Sequence, residues 1–421
     1  MNSYITRIID EKLDKYLTVF GAVLLVGPKW CGKTTTARQH AKSVIALQDS
    51  RESQNYLRLI DLDPSLILDG ETPRLIDEWQ VAPVLWDAVR SEVDRRKKFG
   101  QFILTGSAVP QDLGVRHSGI GRIARLPMGT LSLFESGDSN GEISLGDVFE
   151  DKVDIDGVKS DKSIPDLTVC IARGGWPGSI GMNDEDAFLV VENYVNTLCE
   201  VDIHRVDGVE RNPERVRAIL RSYARNISTL SAQTTILRDV VATEGPISDT
   251  TFYDYINALE RLFVIDDVKA WSPAIRSRTA VRTGSKREFT DPSIAVAAMG
   301  LNPDSMLADV KTLGFLFESL CIRDLRIYAQ ALGGRVSFYA DRTGLESDAV
   351  IHLKDGRYGL IEIKLGGSGI DHGVDNLNKL EALFVAKGQN LPTFKMVLTG
   401  TNLAYKQKDG VMIVPVACLK Q

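Results

Sequence analysis

The 421-residue chain carries 50 Lys+Arg against 56 Asp+Glu, a net charge of −6, with 43% hydrophobic residues. This balance belongs to a folded globular chain of about two to four domains and excludes wholesale disorder, a coating of nucleic acid by charge alone, and, with no apolar run near the roughly 20 residues that span a bilayer, a membrane partner. The five scattered cysteines lack zinc-site or disulfide-framework spacing, and the N-terminus lacks a basic segment followed by an apolar core, so the chain reads as soluble and cytoplasmic.

In chain order, residues 1–20 put Ile5, Ile8, Ile9, Leu13 and Leu17 at helical spacing. Short apolar strands are expected at 22–26, 59–62, 74–76 and 102–105, alternating with helical stretches, which predicts a parallel sheet with helices on its faces. Directly after the first strand stand Gly27, Pro28, Lys29, Trp30, Cys31, Gly32, Lys33 and Thr34, followed by Thr35 at the start of a helical stretch. This is a complete phosphate-binding loop. Its backbone N–H groups and the helix N-terminus favour phosphate, Lys33 reaches the β- and γ-phosphates, and Thr34 ligates Mg²⁺. The expected ligands are therefore ATP and Mg²⁺. A second acidic site is needed on a neighbouring strand, and Asp77 fits as a Mg²⁺ holder, with Glu78 polarising the attacking water. Thr105 and Ser107, at the end of the 102–105 strand, suit contact with the γ-phosphate or the water.

These residues carry a resemblance. Asp77-Glu78, Leu104-Thr105-Gly106-Ser107, Gly121-Arg122, Leu126-Pro127, Leu133-Phe134-Glu135 and Gly174-Gly175-Trp176-Pro177 together resemble the bacterial and archaeal AAA+-type ATPases that carry a C-terminal DUF4143 region. The resemblance implies an α/β architecture in three parts: an AAA-like P-loop ATPase core with a parallel sheet (1–200), a helical winged-helix segment (201–304) and an α/β restriction-endonuclease-like domain (305–421). Arg122 and Arg125 are the candidates for a cation that neutralises the γ-phosphate, in the same subunit or in a neighbour of a homo-oligomer.

Residues 137–163 hold eight acidic against three basic residues and are expected as an exposed insertion. Further on, 236–243 and a helix after Ser248 or Asp249, joined by Glu244-Gly245-Pro246, form a helix–turn–helix pattern. From 211 to 290 there are 13 Lys+Arg against 9 Asp+Glu, including Arg276, Arg278, Arg282, Lys286 and Arg287 where a winged helix has its wing. Two readings stand for this segment. DNA is one partner, read by Thr250, Thr251, Tyr253, Asn257 and Arg261; the other is a lid packed on the ATPase core.

The last part opens with a long helix over 315–331, and a hairpin follows, 346–352 and 358–364, turning at Asp355-Gly356. Glu362 and Lys364 share one strand face, Asp348 can join them, and Glu318 on the long helix needs a partner. The arrangement Asp348…Glu362-x-Lys364 resembles the PD-(D/E)xK nucleases. That resemblance implies Asp348 and Glu362 as Mg²⁺ ligands and Lys364 as the residue that orients or activates water, or else the same fold retained for binding without cleavage.

Overall fold

The computed structural model describes residues 4–106, 119–274 and 284–421. The chain forms two compact units. The first comprises Met1–Thr130 with Asp202–Glu210 and Asn257–Phe263; the second comprises Leu131–Val201, Arg211–Ile256 and Val264–Gln421.

The first unit is built on a five-stranded sheet of β1 (Ala22–Val26), β2 (Ser43–Ala46), β3 (Arg74–Asp77), β4 (Phe102–Gly106) and β5 (Ile123–Pro127), in the order β2-β3-β4-β1-β5. All its pairings are parallel. Parallel strands are covered on both faces, which is why β1 and β4 are apolar without alternation and buried throughout. Side chains still alternate between two cores. Ala22, Leu24, Val26, Ile76, Phe102 and Leu104 face one core. Val23, Leu25, Leu75 and Ile103 face the other, joined there by Ile9, Leu13 and Leu17 from the helix Ile9–Leu17. That helix is shorter than the 1–20 expected.

The strand expected at 59–62 is instead the end of a helix, Ser53–Leu62, and the edge strand is β2. A four-residue apolar run does not separate helix from strand. Here Tyr56, Leu57 and Ile60 pack on the core at helical spacing, while Leu62 is 80% exposed.

The second unit carries a mixed sheet. Its strands are β7 (Arg335–Ala340), β8 (Glu346–His352), β9 (Tyr358–Lys364), β10 (Phe394–Thr399), β11 (Tyr405–Lys406) and β12 (Met412–Pro415), in the order β11-β12-β10-β9-β8-β7. The expected hairpin is β8–β9, antiparallel, with Ala349 opposite Ile361. The helix Ile370–Ala386 packs on this sheet through Val374, Leu377, Leu380 and Phe384, and the long helix is Val310–Ala331. The expected helix–turn–helix lies over Gln233–Glu244 and Asp249–Arg261.

Residues 137–163 are not an exposed insertion. Ile143, Leu145, Val148, Phe149 and Ile155 are buried, and β6 (Ile143–Ser144) pairs in parallel with β13 (Leu419–Lys420). The acids themselves stay mostly at the surface, since Glu142, Asp147, Glu150, Asp151, Asp154, Asp156 and Asp161 are exposed and Asp138 alone is buried, in ion pairs with Lys162 (2.7 Å) and Arg173 (2.5 Å); it is the apolar residues between them that hold the segment down. Gly174-Gly175-Trp176 is a packing joint. A Cβ on Gly175 would fall 2.1 Å from the Leu131 carbonyl oxygen, and the Trp176 indole donates to Ser293 Oγ at 2.9 Å. Among the described residues no helix is long and apolar enough to cross a membrane.

Candidate functional site

The loop of residues 27–34 leaves the C-terminal end of β1 and runs into the helix Lys33–His40, so Thr34 and Thr35 lie in the helix's first turn. Trp30 and Gly32 have positive φ, +65° and +97°. Gly27 is required by proximity as well as by its φ of +158°, because a Cβ there would lie 2.0 Å from the carbonyl oxygen of Met128. Cys31 is buried, with its Sγ 3.5 Å from the same carbonyl, whereas Trp30 is exposed. Lys33 is buried and donates to the carbonyls of Gly27 (2.9 Å) and Pro28 (2.7 Å). These neutral acceptors are weaker than phosphate oxygens, which take charge-assisted bonds.

Three strand ends meet the loop. Thr34 Oγ1 and Thr105 Oγ1 both donate to Asp77 Oδ1, at 2.7 and 2.6 Å. The backbone N–H of Glu78 donates to Thr105 Oγ1 at 3.2 Å, and Glu78 adopts φ +56°, turning the chain sharply off β3. Gln80 Nε2 donates to Glu78 Oε2. The sheet order explains the convergence: β4 lies between β1 and β3, so Thr105 bridges the loop and the acid. Asp77 with the Thr34 hydroxyl is an oxygen set suited to Mg²⁺, a hard cation.

Ser107 lies outside the described residues. Arg122 precedes β5, and its carbonyl accepts from Ala22 N at 3.0 Å, which puts it level with the start of β1. It is five residues of strand, roughly 16 Å, from the loop of residues 27–34. Its guanidinium bonds Asp94 at 2.9 Å, and Arg125 lies 5.9 Å from the Trp86 ring.

Two residues at the loop escaped the sequence reading. Arg7, buried, donates to the carbonyls of Cys31 (2.8 Å), Gly129 (3.0 Å) and Thr130 (3.0 Å), fixing the loop against the exit of β5. Asp202 holds the Lys29 ammonium at 2.5 Å. Neither carries a local signal, since their partners are backbone oxygens or a residue 173 positions away.

Residues 20–136 match the family described as "AAA domain", residues 164–305 match DUF8612 and residues 313–419 match DUF4143, both described as domains of unknown function. The chain carries an AAA-like P-loop domain. Two relatives called uncharacterized proteins, from Mycobacterium bovis and Mycobacterium tuberculosis, are each 25% identical over 346 residues, covering 81% of this chain and 70% of theirs. The Walker-type ATPase of Pyrococcus abyssi aligns over 69% of this chain and 94% of its own at 15% identity, with a TM-score of 0.39.

The second candidate site lies in the DUF4143-matching region. Asp348, Glu362 and Lys364 do come together, and all are joined by Lys286 and Glu318. Lys286 Nζ lies 2.7 Å from Glu318 and 3.4 Å from Asp348; Lys364 Nζ lies 3.0 Å from Asp348 and 2.7 Å from Glu362. Burial opposes ionisation of Asp348, but the two ammoniums outweigh it and hold its carboxyl below the usual range. Burial and the neighbouring Asp348 charge push Glu362 up. Among the described residues no group of three or more His, Cys, Asp or Glu side chains converges on a point suited to a metal ion. As arranged, the site does not fit the divalent cation that the nuclease resemblance implies.

Part of the basic excess around the helix–turn–helix is internal, whereas Arg221, Arg225, Arg238 and Lys269 are exposed. Lys286 and Arg287 are buried, with Arg287 ion-paired to Asp267, and Arg261 bonds Asp207 (3.2 Å) and the Val206 carbonyl (2.8 Å). Arg276, Arg278 and Arg282 lie outside the described residues. The exposed face of the helix Asp249–Arg261 carries Thr250, Thr251, Tyr253 and Asn257, but also Asp254 and Glu260.

Proposed function

We propose that this protein is a Mg²⁺-dependent ATP hydrolase whose nucleotide state governs what its second unit binds. The observation that supports this reading is the meeting of Thr34, Asp77 and Thr105 beside the loop, which brings a phosphate cradle, a metal-binding carboxylate and a strand-end hydroxyl together. In this reading ATP lies along residues 27–35, with Lys33 on its terminal phosphates. Thr34 and Asp77 hold Mg²⁺, which supplies charge neutralisation of the phosphates. Glu78 orients the attacking water. Arg122 acts in a neighbouring subunit of a homo-oligomer, since its own loop is out of reach. Lys33→Ala should abolish tight ATP binding, and Glu78→Gln should bind ATP but turn it over far more slowly in the presence of Mg²⁺. Hydrolysis by Glu78→Gln at the wild-type rate would remove Glu78 from the mechanism.

The remainder of the chain, in this reading, comprises a winged-helix segment (201–304) and a restriction-endonuclease-like domain (305–421). Two readings of its role differ in partner. DNA engagement draws on the exposed Thr250, Thr251, Tyr253 and Asn257; a nucleotide-controlled protein-binding scaffold without cleavage is favoured by the internal pairing of Arg261, Lys286 and Arg287 and by the lysine-filled acidic cluster. A salt-sensitive gel shift with duplex DNA, with and without ATP, separates them. A shift lost as salt rises supports DNA, and none at low salt supports the scaffold.

A further inference from the structure

The misfit between the acidic cluster and a divalent ion has a structural origin outside the Asp348…Glu362-x-Lys364 pattern. Lys286 belongs to a segment that pairs antiparallel with Val268 through two backbone hydrogen bonds of 3.0 Å. Two residues further on, Ala270 bridges in parallel to Phe338 of β7, and Trp271 N donates to the Phe338 carbonyl at 2.8 Å. This added pair of segments carries the Lys286 side chain past the Phe338 ring, 5.8 Å from its centroid, and into the cluster. The residue is 4% exposed.

Among the described residues, the partners of its ammonium are acids and the ring named above. Glu318 lies on the long helix, Asp348 on β8, and each accepts from Lys286 through its first carboxyl oxygen. The second oxygen of Asp348 accepts from Lys364 Nζ (3.0 Å) and from the Ile363 backbone N–H (2.8 Å). Glu362 is shared between Lys364 and Asn376 Nδ2 (2.7 Å). Two ammoniums thus face three carboxyls and bring the same charge as one divalent cation. They come tethered to the fold, at an effective concentration that a free ion must exceed, and Mg²⁺ also sheds its water reluctantly.

We propose that Lys286 and Lys364 are the built-in counter-cations of this site, standing where a divalent metal would otherwise be held. The terminal region is then metal-free, and its acids serve to tie the 284–290 segment, the long helix and the β8–β9 hairpin together. Lys286 is the decisive member. Without it, the buried Asp348 and the partly buried Glu318 lose the cation they share, and such a pair recruits a cation or a proton.

The inference deepens the scaffold reading and is independent of ATP hydrolysis. Its test is Mn²⁺ binding to the nucleotide-free full chain, counted from the electron paramagnetic resonance of the free ion. Any Mn²⁺ held at Thr34 and Asp77 is common to all variants and cancels. Wild type and Asp348→Asn should bind the same number of ions. Lys286→Met, which keeps the apolar stem, should bind one more, raising its melting temperature with Mn²⁺, and Lys286→Met with Asp348→Asn should lose that ion again. A wild-type ion that disappears in Asp348→Asn overturns the proposal, and this comparison holds even if Lys286→Met fails to fold. So does a folded Lys286→Met that gains no ion. Failure here leaves the gel-shift result untouched, so the two readings fail separately.

Discussion

Replacing Gly27 by alanine tests the phosphate loop through a single methyl group. An ideal Cβ at residue 27 lies 2.0 Å from the Met128 carbonyl oxygen and 3.1 Å from its carbon, whereas a carbon normally approaches a carbonyl oxygen no closer than about 3.3 Å. Relief therefore needs a relative displacement of more than about 1 Å between two backbone segments. Neither yields easily: Met128 N donates to the Val26 carbonyl at 2.8 Å, and Arg7 holds the neighbouring Gly129, Thr130 and Cys31 carbonyls. Overpacking of this kind costs about 1–3 kcal/mol in stability. A displacement of about 1 Å at residues that position a reacting group lowers turnover by about 100-fold. Gly27→Ala should therefore fold with a reduced melting temperature and lose most ATP turnover, measured as phosphate release at saturating Mg²⁺. Gly410→Ala is the control, since φ there is +83° with nothing within 4 Å of the added atom; it should cost only the left-handed strain, about 1–2 kcal/mol, and leave turnover intact. Wild-type turnover by Gly27→Ala, or an equal loss in both variants, would refute the packing argument.

Thr105→Val removes the hydroxyl that donates to Asp77 and accepts from the Glu78 amide; turnover should fall by about tenfold or more while ATP affinity changes little, read by single-turnover and equilibrium binding assays. Arg122→Ala mixed with Lys33→Ala should recover part of the ATPase activity if the arginine serves a neighbouring subunit, and no recovery at any mixing ratio counts against that arrangement. Glu288 is fully buried, and burial raises its carboxyl from 4.5 to about 7 against hydrogen bonds from Ser319 and Ser228. Because the folded state holds this proton more tightly than the unfolded one, stability falls as pH rises from near 4.5 to near 7, by about 3 kcal/mol, and then levels off. Glu288→Gln should therefore gain on wild type by about that amount between pH 5 and pH 8 in denaturant unfolding, and parallel pH profiles would contradict it.

Residues contiguous in the chain could be read directly. The loop of residues 27–34 depends on glycine spacing, a lysine and a hydroxyl close together, and β1 and β4 are apolar because both sheet faces are covered. The hairpin of β8 and β9 was legible for the same reason, through the turn at Asp355-Gly356 and the spacing of Glu362 and Lys364. Short-range patterns failed where packing decides: the 59–62 run took the helical form that lets Tyr56 and Ile60 reach the core, and the apolar residues of 137–163 were buried although most of the acids between them stay exposed. Tertiary structure alone brought Arg7 to the loop carbonyls, put Arg122 at the far end of β5, and carried Lys286 into an acidic cluster 62 residues away at Asp348. A charged side chain in a sequence has no partner written beside it. Whether it is a surface patch, a metal site or an internal counter-ion is settled by the desolvation it meets on folding and by which opposite charge the fold brings within reach.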